Sequence, residues 1–233
     1  MAERTAVSSA FYRYLPFAVF MGFIGLDECI RFLAGLGLFT LEATAFYYLY
    51  PVKALTVGFL LYLFKDRYDE LTFKDLINVP STLLSCGIGV LVFILWIKME
   101  WTLGAAGVPQ GFNPALLPGR TIQISMTIFR IAGAVLVVPL MEELFWRSFL
   151  IRYIIDKNFD TVSIGTFTWS SFLLTVAFFG LEHNFIYAGI MAGIFFNLVL
   201  YRTRSIAHCV LSHAVTNLSL AIYVVTSGKW QFW

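Results

Sequence analysis

Two adjacent glutamates and an arginine interrupt a long apolar stretch of the sequence, from Ile131 to Ile155. Ionisable side chains at membrane depth are costly, so they mark function by default. On a helix, Glu143 and Arg147 are four residues apart and share one face, where they can form an ion pair. Glu142 is rotated by about 100° from Glu143. The pattern predicts one charge-compensated carboxylate and, in Glu142, a free carboxylate that could act as a general base.

Two histidines in later apolar runs, one at the end of its run and one within the last run, could complete such a site. His183 follows Phe179 by one helical turn, so the phenyl ring can pack against the imidazole. His213 and Asn217 are also four residues apart and project from one face of the last apolar segment, as a pair of oxyanion donors would. Taken alone, His183 would more often be an interfacial or capping residue, and the second pair would more often be a contact between helices. Glu182 could face lipid headgroups or orient a histidine.

Histidine and carboxylate side chains can also hold zinc. Glu142, His183 and His213 would supply a two-histidine, one-carboxylate set, but they come from separate segments and no His-Glu-x-x-His motif is present. The sequence therefore favours a metal-free site without cofactor, with zinc as the alternative.

The composition assigns the chain to the integral membrane proteins. Of its 233 residues, 59% are hydrophobic and 13% are charged, which is more apolar surface than a soluble domain of this size can bury. The net charge is only +2 and the basic residues are scattered, which argues against nucleic-acid binding. We expect one all-α domain over residues 1–233, a polytopic transmembrane bundle of about seven to eight helices that enclose an intramembrane cavity.

Apolar runs of about 20 residues mark the candidate membrane helices. The predicted spans are Tyr14 to Phe39, Leu41 to Phe64, Ser81 to Lys98, Ile131 to Ile155, Val162 to Phe179, Phe185 to Leu200 and Ile206 to Val225. The first is interrupted by charged residues and could be two shorter pieces. Apolar and polar residues are mixed between Thr121 and Arg130, which predicts a short helix along the membrane interface. The glycines and prolines between Met99 and Gly119 predict a re-entrant or surface loop.

Basic residues in the connections predict the orientation of the bundle. A cytoplasmic position for the loop with Lys65, Arg67 and Lys74 also places Arg152 on the cytoplasmic side by alternation of the spans. This arrangement predicts a cytoplasmic N-terminus and an external C-terminus.

Taken in order, the motifs Glu142-Glu143-x-x-x-Arg147, Phe179-x-x-x-His183 and His213-x-x-x-Asn217 resemble those of the CPBP family. This family of CAAX-processing and bacteriocin-processing intramembrane proteases includes the type II CAAX prenyl endopeptidases. The motifs fall in the C-terminal half, at about 121–226. The N-terminal half is similar only in being apolar and helical.

The resemblance implies a glutamate-dependent peptide hydrolase. Glu142 and His183 would hold and activate water, and His213 with Asn217 would stabilise the oxyanion. Glu143, Arg147 and Phe179 would support them. The family has also been described as metal-dependent, so zinc stays open.

The implied substrate is a membrane-anchored protein or peptide, cleaved near a C-terminus that is prenylated or carries a sorting signal, in the cytoplasmic membrane of a prokaryote. Two other functions remain open: a non-catalytic immunity or scaffold protein, in which the charges tie helices together, and a small proton-coupled transporter.

Overall fold

A computed structural model describes residues 8–42, 44–100 and 111–233 of the chain. These residues form seven helices and no strand. The helices are α1 (Ser9–Gly35), α2 (Leu49–Leu63), α3 (Val79–Trp96), α4 (Arg120–Ile155), α5 (Trp169–Leu181), α6 (Ile186–Thr203) and α7 (Ile206–Ser227). The predicted all-helical membrane bundle is confirmed.

Within the described part of the chain, five helical segments are long and apolar enough to cross a membrane. They are Ala45–Leu63, which extends α2 by a 3-10 turn, together with α3, α4, α6 and α7. The apolar helix α5 is shorter, with 13 residues. Helix α1 is uninterrupted over its 27 residues, because Asp27 and Arg31 pair at 2.9 Å along its surface instead of breaking it.

The sequence prediction for the start of α4 was wrong. Instead of an interfacial helix followed by a separate span, Arg120–Ile155 forms one continuous segment of 36 residues. Two π-turns, Gly133–Val137 and Leu144–Leu150, lie within it. Such turns hold more residues than an α-turn and occur often at functional sites.

The predicted span from Val162 to Phe179 starts later than expected. Residues before Trp169 form a 3-10 turn and a loop in which Gly165 has a φ of 79°. Helix α5 begins where the Thr168 hydroxyl accepts a hydrogen bond from the backbone N–H of Ser171. Of the predicted loop from Met99 to Gly119, residues 101–110 lie outside the described part of the chain.

Helices α3 and α7 approach each other most closely at Gly89. A Cβ atom there would lie 2.5 Å from the carbonyl oxygen of Ser212, so only glycine fits. One turn along, the Thr216 hydroxyl donates to the Gly89 carbonyl oxygen at 2.9 Å. This contact fixes the part of α7 that carries His213 and Asn217.

A buried charge network joins three segments at the opposite end of α1 from Asp27. Arg13 donates two hydrogen bonds to Glu70, at 2.7 and 2.6 Å, and the Ser148 hydroxyl also donates to Glu70. Arg152 donates to Ser148 and lies 3.9 Å from Glu70. The start of α1, the α2 to α3 connection and the end of α4 therefore meet at one end of the bundle, as the predicted alternation of spans requires.

Candidate active site

Helix α4 places Glu142 and Glu143 in the interior, between its two π-turns. Glu142 is 6% exposed and Glu143 is fully buried. Buried carboxylates need partners because their desolvation is costly. The two glutamates differ in how many such partners they contact.

Glu143 is compensated from two sides. Its Oε1 atom accepts a hydrogen bond from Arg147 Nη1 at 3.1 Å, which is the ion pair that the spacing predicted. The same oxygen accepts from His213 Nδ1 at 2.9 Å. Glu143 thus links α4 to α7, and the Nε2 atom of His213 is the ring nitrogen left for other partners.

Arg147 is 1% exposed and is held by side chains of other helices. Its Nε donates to Asn197 Oδ1 at 3.1 Å, and Asn197 in turn donates to Thr175 at 3.1 Å. The guanidinium lies 4.4 Å from the ring centroid of Phe179, a cation–π contact. The sequence analysis missed Asn197, although a single asparagine within the apolar segment of α6 was a visible signal.

Glu142 has no lysine or arginine within ion-pair distance among the described residues, and its Oε2 atom is buried without a hydrogen-bond partner. The closest cationic candidate is His213, whose Nε2 lies 4.0 Å from Oε2. This separation exceeds a direct hydrogen bond and suits a bridging water.

His183 follows the end of α5 and has a fixed ring. Its Nδ1 lies 2.7 Å from the carbonyl oxygen of Phe179, so Nδ1 carries the proton and the neutral ring keeps an acceptor at Nε2. The Phe179 ring packs against the imidazole with centroids 4.9 Å apart, as the spacing predicted, and Trp96 packs edge-on at 5.3 Å.

Glu182 lies beside the site, with a side chain that is 10% exposed. Its Oε1 atom accepts a hydrogen bond from Trp146 Nε1 at 3.1 Å, a contact that the sequence analysis did not anticipate. One potential ligand atom from each of Glu142, Glu182 and His183 lies within 4.8 Å of the others. These are residue types that can hold a divalent cation, and this grouping contains Glu182 where the sequence analysis had placed His213.

Asn217 reaches from α7 to the first π-turn of α4. Its side-chain nitrogen donates to the carbonyl oxygen of Ala134 at 2.7 Å. An amide nitrogen has two hydrogens. One is used in this contact, and the second remains available.

A cavity of about 290 Å³ joins the predicted site residues. Glu142, His183, His213 and Asn217 all line it. Its apolar wall is formed by aromatic and aliphatic residues, which include Phe20, Phe179, Phe196 and Leu220. Glu143 and Arg147 do not line the cavity and lie behind it, where they hold His213 and the wall residue Phe179.

Comparison with known proteins finds a match for the segment that carries these site residues. The family model for type II CAAX prenyl endopeptidase Rce1-like proteins matches residues 124–219. The comparisons with curated proteins and with solved structures found no match. The matched segment contains all three motifs and every side chain from Glu142 to Asn217 discussed above, so this part of the chain is similar to the CAAX prenyl endopeptidase-like family of membrane proteases.

Proposed function

We propose that this protein is an intramembrane endopeptidase that uses Glu142 to activate water. The observation that carries the proposal is the environment of Glu142: a buried carboxylate with an unpartnered oxygen, lining the same cavity as His183, His213 and Asn217. A general base must lie within reach of the proton that it removes, directly or through one water. The space between Glu142 and the two imidazoles is suited to a water molecule.

The hydrolysis then follows in two steps. Glu142 takes a proton from water while Nε2 of His183 accepts a hydrogen bond from it, and the hydroxide oxygen bonds to the carbonyl carbon of the peptide. The resulting tetrahedral oxyanion collapses, the C–N bond breaks, and Glu142 returns the proton to the leaving nitrogen. The products are a carboxylic acid and an amine, the proton of the acid passes to the amine to give a carboxylate and an ammonium group, and Glu142 is regenerated as a carboxylate.

Oxyanion stabilisation is the role proposed for His213 and Asn217. Asn217 has a second amide hydrogen beyond the one bonded to Ala134, and His213, whose Nδ1 contacts Glu143, would donate through Nε2 when both ring nitrogens carry a proton. Donors held in place before the reaction stabilise developing charge without a cost of reorganisation.

The proposal does not require a cofactor, because the described side chains already supply the base and the oxyanion donors. Glu142, Glu182 and His183 would be the ligands if a divalent cation is bound. A cation there would supply Lewis-acid activation of water.

The proposed substrate is a membrane-anchored protein or peptide that is cut near its C-terminus. The aromatic wall of the cavity favours apolar side chains around the cleaved bond. We place the reaction in the cytoplasmic membrane of a prokaryote, with the lipid bilayer and the substrate as the partners and no nucleic acid.

Purified protein in lipid nanodiscs tests the proposal. The probes are a peptide with S-farnesylcysteine followed by three apolar residues, and a peptide anchored by a single apolar helix near its C-terminus. Wild-type protein and the surface control Glu42→Gln should cleave at least one probe, while Glu142→Gln should not. Cleavage by Glu142→Gln at the wild-type rate would refute the role of Glu142.

The non-catalytic alternative gives a different result in the same preparation. An immunity or scaffold protein would cleave neither probe, and Glu142→Gln would retain the cellular phenotype. A proton-coupled transporter would show a proton flux in proteoliposomes that Glu142→Gln abolishes, without peptide cleavage.

A further inference from the structure

Two cations line the site cavity without a carboxylate partner. Lys53 on α2 and Arg130 on α4 both belong to the wall of the cavity that contains Glu142. Among the described residues, neither has a carboxylate within ion-pair distance, and the buried Nε atom of Arg130 has no hydrogen-bond partner. Both side chains are partly buried, and charges inside a membrane protein that lack an opposite charge mark binding sites.

Aromatic rings hold these two cations in place. The Lys53 ammonium lies 4.3 Å from the ring centroid of Phe20, and the Arg130 guanidinium lies 4.4 Å from that of Tyr50. Lys53 is also 5.3 Å from the Tyr50 ring, so Tyr50 contacts both cations. Cation–π contacts position a positive charge but leave its hydrogens free to donate. We call Lys53 and Arg130 the cationic pair.

A close helix contact fixes Tyr50. The Tyr50 hydroxyl donates to the backbone carbonyl of Arg130 at 3.3 Å. A Cβ atom on Gly133 would lie 2.6 Å from the same hydroxyl oxygen, so the glycine allows α2 and α4 to meet there. The position of the cationic pair is thus determined by packing.

The cationic pair lies where the site cavity joins a second, outer cavity of about 500 Å³. Lys53, Arg130, Tyr50 and Trp233 line both cavities. The outer cavity also contains Asp27 and Glu28, but Asp27 is paired with Arg31, and Glu28 is exposed and does not line the inner cavity.

Charge balance indicates what is missing from the inner cavity. With the histidines left aside, the side chains of its described lining carry two positive charges against the single carboxylate of Glu142. One more carboxylate, supplied by a ligand, would make the lining neutral. Arginine and lysine bind carboxylates by charge-assisted hydrogen bonds, which are stronger than neutral ones.

We propose that the cationic pair binds the free C-terminal carboxylate of the peptide substrate. This inference rests on the proposed endopeptidase function. Apart from its charged residues, the described lining is mostly apolar and aromatic, which suits a chain end that carries one carboxylate on apolar residues. Lys53 and Arg130 would therefore select substrates by their C-terminus and set the distance from that end to the cleaved bond.

Binding measurements on the inactive Glu142→Gln protein separate recognition from cleavage. In nanodiscs of phosphatidylcholine, the farnesylated peptide with a free carboxylate should bind at least about tenfold more tightly than the same peptide with a C-terminal amide. Adding Lys53→Met or Arg130→Gln should remove this preference, while Lys53→Arg should retain it. Lys65→Met, a cation that lines neither cavity, is the matched control.

Unchanged affinity for the amide peptide shows that each variant is folded. Equal binding of acid and amide peptides by the Glu142→Gln protein would overturn the inference. So would an acid preference that disappears when phosphatidylglycerol is added, because the pair would then bind a lipid phosphate. If wild-type protein cleaves the acid peptide and the amide peptide at equal rates, only the proposed role of the cationic pair is refuted. If the acid peptide binds selectively but neither peptide is cleaved, only the proposed endopeptidase function is refuted.

Discussion

Nδ1 of His213 lies 2.9 Å from Oε1 of Glu143, although the two residues are 70 positions apart. The same oxygen accepts a hydrogen bond from Arg147. Because the carboxylate accepts the Nδ1 proton, it fixes the orientation of the ring and leaves Nε2 for the cavity. Glu143 is therefore a positioning residue for His213, whereas Glu142 has an oxygen available for chemistry.

The two adjacent glutamates should respond differently to the same substitution. Glu142→Gln should lower kcat by roughly 10²- to 10⁴-fold, the usual contribution of a general base, with an equal or higher Tm because it removes an unpartnered buried carboxylate. Glu143→Gln should lower the Tm because Arg147 loses its counter-charge. It should also lower kcat with little change in KM. Thermal unfolding and peptide kinetics on both variants check this, and equal Tm changes would contradict it.

Replacement of Arg147 should destabilise the protein. Arg147→Met leaves Glu143 in the interior without its cation, and breaking a buried pair costs about 3–5 kcal/mol. Chemical unfolding in detergent micelles measures the loss, with Arg202→Met, on an exposed side chain of α6, as the control. A fully stable but inactive Arg147→Met protein would move Arg147 into substrate binding.

Metal removal tests whether the histidines act in a metal-free mechanism or belong to a metal site. For the metal-free mechanism, activity should survive strong chelation and elemental analysis should find no stoichiometric zinc. If Glu142, Glu182 and His183 are ligands instead, chelation should abolish turnover and added metal should restore it. In that case Glu182→Gln and His183→Ala should both lose bound metal, while His213→Ala should retain it.

Acid should weaken the network around Glu70. Burial alone would raise the pKa of Glu70, but hydrogen bonds from Arg13 and Ser148 and the charge of Arg13 outweigh burial and hold the pKa below its ordinary value of 4.5. A lowered folded pKa gives stability that is present above the unfolded pKa and is lost as the pH falls through the folded one.

Thermal unfolding between pH 7 and pH 3 checks this effect. The Tm advantage of wild type over Glu70→Gln should be constant at and above about pH 6 and should shrink below about pH 4.5. An advantage that stays constant down to pH 3 would contradict the role of the Glu70 carboxylate.

Contacts within one helix could be predicted from the sequence, and contacts between helices could not. The Glu143 to Arg147 pair and the Phe179 to His183 packing follow from a spacing of four residues. The contact of Glu143 with His213 depends on how α4 and α7 are rotated about their axes, which residue spacing does not encode.

The contacts of Asn197 and Trp146 with the site could not be predicted from the sequence for the same reason. Asn197 reaches Arg147 across 50 residues and Trp146 reaches Glu182 across 36. The π-turns of α4 add to the difficulty, because they change the direction of every side chain beyond them. The continuous helix from Arg120 was missed because its first turns are amphipathic and its later turns are apolar.

The first π-turn of α4 also changes the direction in which side chains point from the helix, and it does so between two parts of the substrate site. In a regular α-helix, Arg130 and Glu142, twelve residues apart, would point about 120° away from each other. The extra residue in Gly133–Val137 reduces the angle to about 20°, so both side chains reach one cavity. Deletion of Leu136, a residue of this turn that lines neither cavity, would remove no site residue. It would nevertheless separate recognition of the chain end from the place where the bond is cut.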